Sequence, residues 1–274
     1  MIGETKYQII SQVLEEIVGR MGSSQNKILL PGLIPSMNKK IVGILQSELW
    51  ILGGYSSSGK TFLSLQVALE ASLTNWKVLY VSLEMAQTAL ALRLWASLAQ
   101  VQPLKLQFGL FSAEEIERIK KAKEIIKNLD FYFCDSLYGI SAIEKVIREL
   151  KPNLVIIDYL QNLLPDGREQ SEYYTLSNGI VKLQKLAKEM MIAIWCCSQV
   201  SNVEAKEGVS SKIIGYKGSG GLAAACDVGL WLERKTKYKE TPKFGLYCRK
   251  NRRGNLFKVN LELRFPNGIF CETD

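Results

Sequence analysis

The sequence LWILGGYSSSGKT, residues 49–61, decides the fold class of this 274-residue chain. The apolar run 49–52 predicts a buried strand, and the run that begins at Lys60 has helical spacing. Between them lies the pattern G-x-x-x-x-G-K-[ST], from Gly54 to Thr61. A glycine-rich loop between a strand and a helix offers backbone N–H groups and a helix N-terminus to phosphates. The stretch therefore predicts a nucleotide site in an α/β protein.

The residues of this loop have separate roles in a phosphate site. The lysine, Lys60, reaches the β- and γ-phosphates, and the hydroxyl of Thr61 holds Mg²⁺. The backbone of the other loop residues surrounds the phosphates. We therefore expect a nucleotide with β- and γ-phosphates and Mg²⁺ to bind here, with the following residues in contact with the nucleotide: Gly54, Ser57, Ser58, Gly59, Lys60 and Thr61.

Short apolar runs alternate with helical patterns along most of the chain. The expected elements are strand 49–54, helix 60–73, strand 77–82, helix 86–100, helix 113–127, strand 129–134, helix 141–150, strand 153–158, helix 173–190 and strand 191–198. This alternation predicts a mostly parallel central sheet flanked by helices. From Asp227 onward the helical spacing ends. The runs 228–233, 244–250 and 256–265 predict antiparallel strands added to one edge of the sheet.

The N-terminal residues form a separate pattern. Residues 6–21 carry apolar side chains at a spacing of three and four, which predicts an amphipathic helix. The stretch Gly22-Ser23-Ser24 that follows is typical of a linker. We expect residues 1–28 to form a linker helix and residues 29–274 to form one ATPase domain.

The residue types exclude several classes of chemistry. The chain has no histidine, so Ser-His-Asp catalysis, Cys-His catalysis and His-ligated zinc are excluded. Its six cysteines contain no C-x-x-C pair, which argues against zinc and against a disulfide framework. The start MIGETKYQ lacks the pattern of a signal peptide, and the longest apolar run, 190–197, is too short to span a membrane. We expect a cytoplasmic protein without a membrane segment.

The net charge of +8 is concentrated near the C-terminus. Ten basic residues and one acidic residue lie between Arg234 and Lys258, so that block carries +9 and the rest of the chain −1. Such a block indicates a polyphosphate, a nucleic acid or an anionic surface, or else a solvated hairpin. Composition leaves these alternatives open, and the basic run 234–243 has no assigned role.

Two carboxylates are placed to complete the phosphate site. Asp158 follows the apolar strand 154–157, at the sheet edge where ligands of open α/β sheets bind, and we expect it to hold Mg²⁺ through water. Glu84 follows the strand 77–82. A carboxylate there can polarise the water that attacks the γ-phosphate. A glutamate at the start of a helix also complements the helix macrodipole, so the residues alone leave both roles open.

Five motifs occur in a characteristic order. They are GYSSSGKT from Gly54, YVSLEM with Glu84 and then Arg93, VIIDYLQNL with Asp158, CSQVS with Gln199, and KNRRG with Lys250 and Arg252. Together they resemble the RecA-fold motor domain of the DnaB-type replicative DNA helicases, from about residue 30 to the C-terminus. SLEM followed by IDYLQ is specific to that family among RecA-fold ATPases. The resemblance implies a RecA-like fold, an ATP-dependent DNA helicase activity in replication, and Glu84 as the catalytic base.

The resemblance also implies contacts with DNA. Gln199 would sense the γ-phosphate and pass its presence to a DNA-binding loop that follows it. The phosphate-contacting run of that loop corresponds here to Lys217, Gly218, Ser219 and Gly220. Lysine replaces the usual arginine at Lys217, which keeps the charge without the guanidinium fork.

The resemblance further implies an oligomer. Lys250 and Arg252 would reach the neighbouring subunit's site and act on its γ-phosphate, which requires a ring, expected to be a hexamer, around single-stranded or forked DNA. The direction of movement would be 5′ to 3′. The helix within residues 1–28 would dock on the adjacent subunit, or it packs on its own domain. We expect no counterpart of the family's N-terminal collar domain, which meets primase, within these 274 residues, as in a reduced mobile-element version or a fragment of a longer chain. A helicase loader is a candidate partner.

Two other functions stay open at this point. A RecA-like or KaiC-like ATPase or recombinase would form rings or filaments on DNA without unwinding it, but SLEM and IDYLQ argue against this. An ATP-dependent DNA-binding or loading factor would have vestigial hydrolysis. A complete set of site residues opposes that alternative: Lys60, Thr61, Glu84, Asp158, Gln199 and Arg252.

Overall fold

The structure of the chain is a computed structural model. It describes residues 10, 27–28, 34–165, 172–200, 224–236, 241–265 and 267–273. The predicted helix of residues 6–21, apart from Ile10, lies outside the described residues. The predicted DNA contacts Lys217, Gly218, Ser219 and Gly220 lie outside them as well.

The helices and strands follow the alternation expected from the sequence. In chain order they are β1 (Lys27–Ile28), α1 (Pro35–Ile41), β2 (Ile44–Leu45), β3 (Leu49–Tyr55), α2 (Lys60–Leu73), β4 (Val78–Ser82), α3 (Gln87–Ala99), α4 (Pro103–Phe108), α5 (Ala113–Lys127), β5 (Phe131–Cys134), α6 (Ile140–Leu150), β6 (Leu154–Asp158), a 3₁₀ turn (Leu160–Asn162), α7 (Glu172–Met190), β7 (Ala193–Val200), β8 (Val228–Arg234), β9 (Lys243–Asn251), β10 (Lys258–Arg264) and β11 (Ile269–Thr273). None of the helices among the described residues has the length and apolar character that crossing a bilayer requires.

Nine strands form one sheet in the order β11-β10-β9-β8-β3-β7-β6-β4-β5. The six strands from β8 to β5 are parallel, and β9, β10 and β11 continue the sheet as antiparallel strands. The mostly parallel sheet with an antiparallel extension is therefore confirmed.

One detail of the prediction is wrong. The run 228–233 was expected to be antiparallel, but β8 pairs with β3 in parallel, with Ile51 opposite Gly229. The chain between β7 and β8 is long enough to cross over and return in the same direction, whereas the short turns after β8 and β9 reverse it. A fourth strand in this region, Ile269–Thr273, was not expected and extends the antiparallel edge.

The sheet is covered on both faces, which explains its uninterrupted apolar strands. In β3, Trp50 and Leu52 belong to the core under α2, while Leu49 and Ile51 belong to the core under α6 and α7. Successive side chains of a strand point to opposite faces, so a strand buried on both sides must be apolar throughout. Trp50 stacks on Trp195 of β7, with ring centroids 5.8 Å apart.

Candidate active site

Two glycines of the phosphate loop are required by close packing. A Cβ on Gly54 would lie 2.5 Å from Ser58 Oγ and 2.7 Å from the carbonyl oxygen of Leu232. Gly59, immediately before α2, has φ of +88°, and a Cβ there would lie 2.9 Å from the ring of Phe270. The loop thus needs glycine both for its backbone conformation and for its space.

Lys60 is buried at the first turn of α2. Its Nζ donates hydrogen bonds to the carbonyl oxygens of Gly54, at 3.1 Å, and Tyr55, at 2.8 Å. Burial lowers the pKa of the ammonium from 10.5, and the nearby groups Cys197, Asp158 and Glu84 work in the opposite direction. A desolvated cation held against its own loop gains from an anion that arrives beside it.

Ser58 carries an unusual buried hydroxyl. The residue is 3% exposed, and its Oγ has no hydrogen-bond partner among the described residues. Buried polar atoms are nearly always paired in native proteins, so an unpaired one at a ligand site indicates a group that the ligand satisfies. Together with Lys60, Ser58 fits the phosphates of a nucleotide.

Asp158 lies at the end of β6 and is 4% exposed. The hydroxyl of Tyr80, on the neighbouring strand β4, donates to Asp158 Oδ2 at 2.9 Å. Burial raises the pKa of Tyr80 well above 10.0, and the negative charge of Asp158 raises it further. Asp158 and Thr61 both line the same cleft. In phosphate sites Mg²⁺ takes one or two protein oxygens together with phosphates and waters, and this carboxylate and hydroxyl fit that donor set.

The cleft has a volume of about 340 Å³ and brings most of the predicted site residues together. Its predicted members are the following loop, carboxylate and amide residues: Ser57, Ser58, Gly59, Lys60, Thr61, Glu84, Asp158 and Gln199. Gly54 contributes through its carbonyl oxygen, which holds Lys60.

Glu84 is exposed at the turn that leaves β4. Ser82 and Met85 fix this turn, because the Ser82 hydroxyl donates to the Met85 carbonyl at 2.6 Å and accepts from its N–H at 3.0 Å. Leu83 N also donates to the Asp158 carbonyl oxygen at 2.7 Å. The turn is therefore attached to the end of β6, and it presents a solvated carboxylate beside the phosphate loop. Such a carboxylate can accept a proton from water.

Gln199 lies at the cleft end of β7 and is held by Gln161, a residue to which we assigned no role from the sequence. Gln161 Oε1 accepts from the Gln199 backbone N–H at 2.9 Å, and its Nε2 donates to Ser198 Oγ at 2.9 Å. Gln161 belongs to the 3₁₀ turn just after Asp158. The signal that could have found it is the final Gln of IDYLQ.

Arg93 lines the cleft, and it too had no role assigned from the sequence. It lies on α3, with its guanidinium carbon 5.1 Å from the centroid of the Phe62 ring and Nη1 3.2 Å from Met85 Sδ. Stacking on an aromatic ring holds an arginine in place while leaving its edge to bind an anion. The charge of Arg93 is thus available to a nucleotide bound to the same chain.

Lys250 and Arg252 occupy a different part of the structure from the cleft residues. In the part of the chain that the structure describes, the cleft wall includes neither of them. Lys250 Nζ donates to the carbonyl oxygen of Ala224 at 3.0 Å, and burial lowers the pKa of this lysine. Arg252 donates from Nη2 to the same carbonyl oxygen at 2.9 Å and from Nη1 to Asp227 Oδ1 at 2.8 Å. Both cations are therefore held at one place, outside the cleft of their own chain.

Comparison with known proteins gives a consistent result. The model of the family described as DnaB-like helicase C terminal domain matches residues 30–269. A probable plasmid replicative DNA helicase of Chlamydia trachomatis is 31% identical over 273 residues, which cover 93% of this chain and 59% of the relative. The replicative DNA helicase DnaB of Rickettsia felis is 27% identical over 246 residues, 84% of this chain and 50% of the relative. The chain thus spans between half and three fifths of the length of these curated relatives.

Solved structures show the same fold. A DnaB-like replicative helicase, whose structure was described with its interactions with primase, superposes with a TM-score of 0.79 at 22% identity, covering 98% of this chain and 68% of that chain. A KaiC-like protein of Pyrococcus horikoshii OT3 superposes with a TM-score of 0.61 at 17% identity, covering 90% of this chain and 99% of that protein. The predicted RecA-like fold is confirmed.

Proposed function

The chain belongs to the family of DnaB-like helicase C-terminal domains, and on that premise we propose that it is the ATP-driven motor of a replicative DNA helicase. It works as a homo-oligomeric ring in the cytoplasm, moves along single-stranded DNA and unwinds the duplex ahead of it. The observation that supports this best is the convergence of the phosphate loop, Glu84, Asp158 and Gln199 on one cleft.

The phosphates of ATP bind to the loop between β3 and α2. The backbone N–H groups of the loop and the start of α2 surround them, and Lys60 exchanges its contacts with the loop carbonyls for phosphate oxygens. Ser58 Oγ gains the partner that it lacks among the described residues. Thr61 and Asp158 would hold Mg²⁺, which when bound would neutralise negative charge on the phosphates.

Hydrolysis uses groups that surround the γ-phosphate position. Glu84 orients a water molecule and accepts its proton as the oxygen attacks phosphorus, and the bond to the ADP oxygen breaks. The amide of Gln199 detects whether the γ-phosphate is present. Gln199 is the next-to-last residue of β7, so a shift of its side chain or backbone can be passed to the segment that follows the strand. That segment contains Lys217, Gly218, Ser219 and Gly220.

Lys250 and Arg252 act on the site of a neighbouring subunit. They lie outside their own cleft, yet both are cations held in a defined place at the end of β9. In a ring, such a pair reaches the γ-phosphate bound to the next subunit and stabilises the charge that develops in the transition state. We propose further that the ring has six subunits and that it moves in the 5′ to 3′ direction. A helicase loader is a candidate partner.

DNA binds through its backbone rather than through its bases. Lys217 and the backbone N–H groups of Gly218, Ser219 and Gly220 contact phosphates, so that binding is tolerant of sequence and weakens with salt. This property suits a motor that passes over every sequence in turn.

The proposal is tested by unwinding of a forked duplex. The protein, its ring state imaged by electron microscopy in the same preparation, should separate the fork with ATP and Mg²⁺, and Lys60→Ala should not. A filament that pairs DNA strands without separating them would support the recombinase alternative. DNA binding without DNA-stimulated phosphate release would support a loading factor.

A further inference from the structure

Asp227 joins the two parts of the ATP machinery that the proposed function assigns to different subunits. Its backbone N–H donates to the Leu49 carbonyl oxygen at 2.8 Å, and its Oδ2 accepts from the Leu49 N–H at 2.9 Å. Leu49 begins β3, the strand that ends in the phosphate loop. These two hydrogen bonds to Leu49 fix both the backbone and the side chain of Asp227 to the central sheet.

The other carboxylate oxygen of Asp227 faces Arg252. Oδ1 accepts from Arg252 Nη1 at 2.8 Å, and the Asp227 carbonyl oxygen accepts from the Arg252 backbone N–H at 3.0 Å. The side chain of Asp227 is 13% exposed, whereas that of Arg252 is 45% exposed. A largely buried, rigid carboxylate therefore holds a half-exposed guanidinium.

The guanidinium keeps much of its capacity to bind an anion. An arginine side chain has five N–H donors in a planar fork. Asp227 and the Ala224 carbonyl oxygen take one donor from each Nη, on the hydrogen bonds found within the described residues. Three N–H donors remain on a side chain that is 45% exposed, and these can contact phosphate oxygens.

We propose that Asp227 is a positioning residue for Arg252, which it holds in the orientation that contacts a neighbouring subunit's γ-phosphate. This inference rests on the proposed function, because it requires Arg252 to act in trans. A flexible arginine must lose many rotamers to reach one geometry, and an ion pair on a fixed carboxylate removes most of those rotamers in advance. Lys250 Nζ donates to the same Ala224 carbonyl oxygen as Arg252, at 3.0 Å.

A second possible role for the Asp227–Arg252 ion pair predicts the opposite change in kcat. If Asp227 competed with phosphate for Arg252, its removal would release the arginine and speed ATP hydrolysis. If Asp227 positions Arg252, its removal slows hydrolysis. The sign of the change in kcat therefore distinguishes the two.

The test uses Asp227→Asn, which can still accept from the Leu49 N–H but lacks the charge. We expect kcat for ATP in the assembled ring to fall about tenfold, a fraction of the roughly 10³–10⁵ that such an arginine contributes, with KM nearly unchanged. Glu189→Gln is the matched control, because it removes another carboxylate from an arginine, Arg148, on the surface. It should leave kcat unchanged. Thermal unfolding of both variants verifies that they are folded.

Mixed rings separate positioning from a structural defect. Lys60→Ala subunits have a dead cleft and an intact Arg252, so mixing them with Asp227→Asn subunits should restore hydrolysis at the clefts of the Asp227→Asn subunits. The double variant Asp227→Asn/Arg252→Ala should be no slower than Arg252→Ala alone. Unchanged or increased kcat in Asp227→Asn, or no restoration in the mixture, would overturn the inference. If Arg252→Ala itself is not restored by mixing, it is the trans action in the proposed function that fails.

Discussion

The hydroxyl of Tyr80 donates a hydrogen bond to Asp158 Oδ2 across two neighbouring strands, at 2.9 Å, with both residues buried. In the register of β4 and β6, Ser82 is opposite Asp158, so Tyr80 lies one pleat back on the same face of the sheet. The tyrosine fixes one carboxylate oxygen of Asp158, and Asp158 lines the cleft. Partners of this kind set the orientation of a metal-binding group.

Tyr80→Phe should therefore affect both stability and metal use. Loss of a buried hydrogen bond to a charged group is expected to lower the free energy of unfolding by about 1.5–3 kcal/mol, as measured in urea. The Mg²⁺ concentration for half-maximal ATPase should rise about tenfold. Tyr132→Phe, at an exposed position on β5, is the control and should change neither quantity. A Tyr80→Phe protein with unchanged Mg²⁺ dependence would show that Asp158 does not need this support.

The sequence predicted those parts of the fold that local signals determine. Helix 60–73 has the observed bounds because the motif fixes its start. The direction of β8 was not predicted, because the apolar run 228–232 does not by itself show which way the strand runs, and the direction depends on the path of the connection before it. Helix α4, Pro103–Phe108, was not expected, since it has six residues and none of them is buried.

The residues of the site also fall into two groups, those that the sequence predicts and those that it does not. That Lys60, Thr61, Glu84 and Asp158 line one cleft could be predicted, because motif spacing and strand ends identify them without knowledge of their neighbours. The contacts of Tyr80 and Gln161 could not be predicted, because each is made to a residue on another strand. Their contacts depend on the register of β4 against β6 and on the approach of the 3₁₀ turn to β7.

Glu84→Gln tests the general base. The amide keeps the size of the side chain but cannot accept the proton, so kcat for ATP should fall by about 10²–10⁴-fold while ATP binding stays close to that of the unmodified protein. Glu124→Gln, on the exposed face of α5, provides the control and should hydrolyse ATP normally. Normal turnover by Glu84→Gln would assign the base to another group.

Arg93 and Arg252 should differ in mixing experiments. Arg93 lines the cleft of its own chain, so Arg93→Ala is expected to raise KM for ATP about tenfold, through the loss of one charge-assisted contact to phosphate. Mixing with Lys60→Ala subunits should not restore it, because each Arg93 serves its own cleft. Arg252→Ala should be restored in the same mixture. Restoration of Arg93→Ala would place this arginine at a subunit boundary instead.

Replacement of Lys60 should abolish hydrolysis. Lys60→Ala removes the charge that reaches the β- and γ-phosphates, and we expect kcat to fall at least about 10²-fold, measured as phosphate release. The fold should survive, because the substitution removes a desolvated cation rather than an apolar core residue. Lys120→Ala, on the exposed surface of α5, should behave like the unmodified protein. Substantial hydrolysis by Lys60→Ala would contradict the assignment of the phosphate loop.

The pH dependence of nucleotide binding follows from the state of Lys60. Burial holds its pKa below 10.5 in the free protein, and bound phosphates raise that pKa because they favour the charged form. Binding therefore takes up a proton in the alkaline range between the two values, and ATP affinity should fall as pH rises through it. Titration calorimetry in buffers of different ionisation enthalpy measures this uptake. Lys60→Arg is the control, since a guanidinium stays protonated and removes the effect. An equal alkaline loss of affinity in both proteins would mean that another group carries the proton.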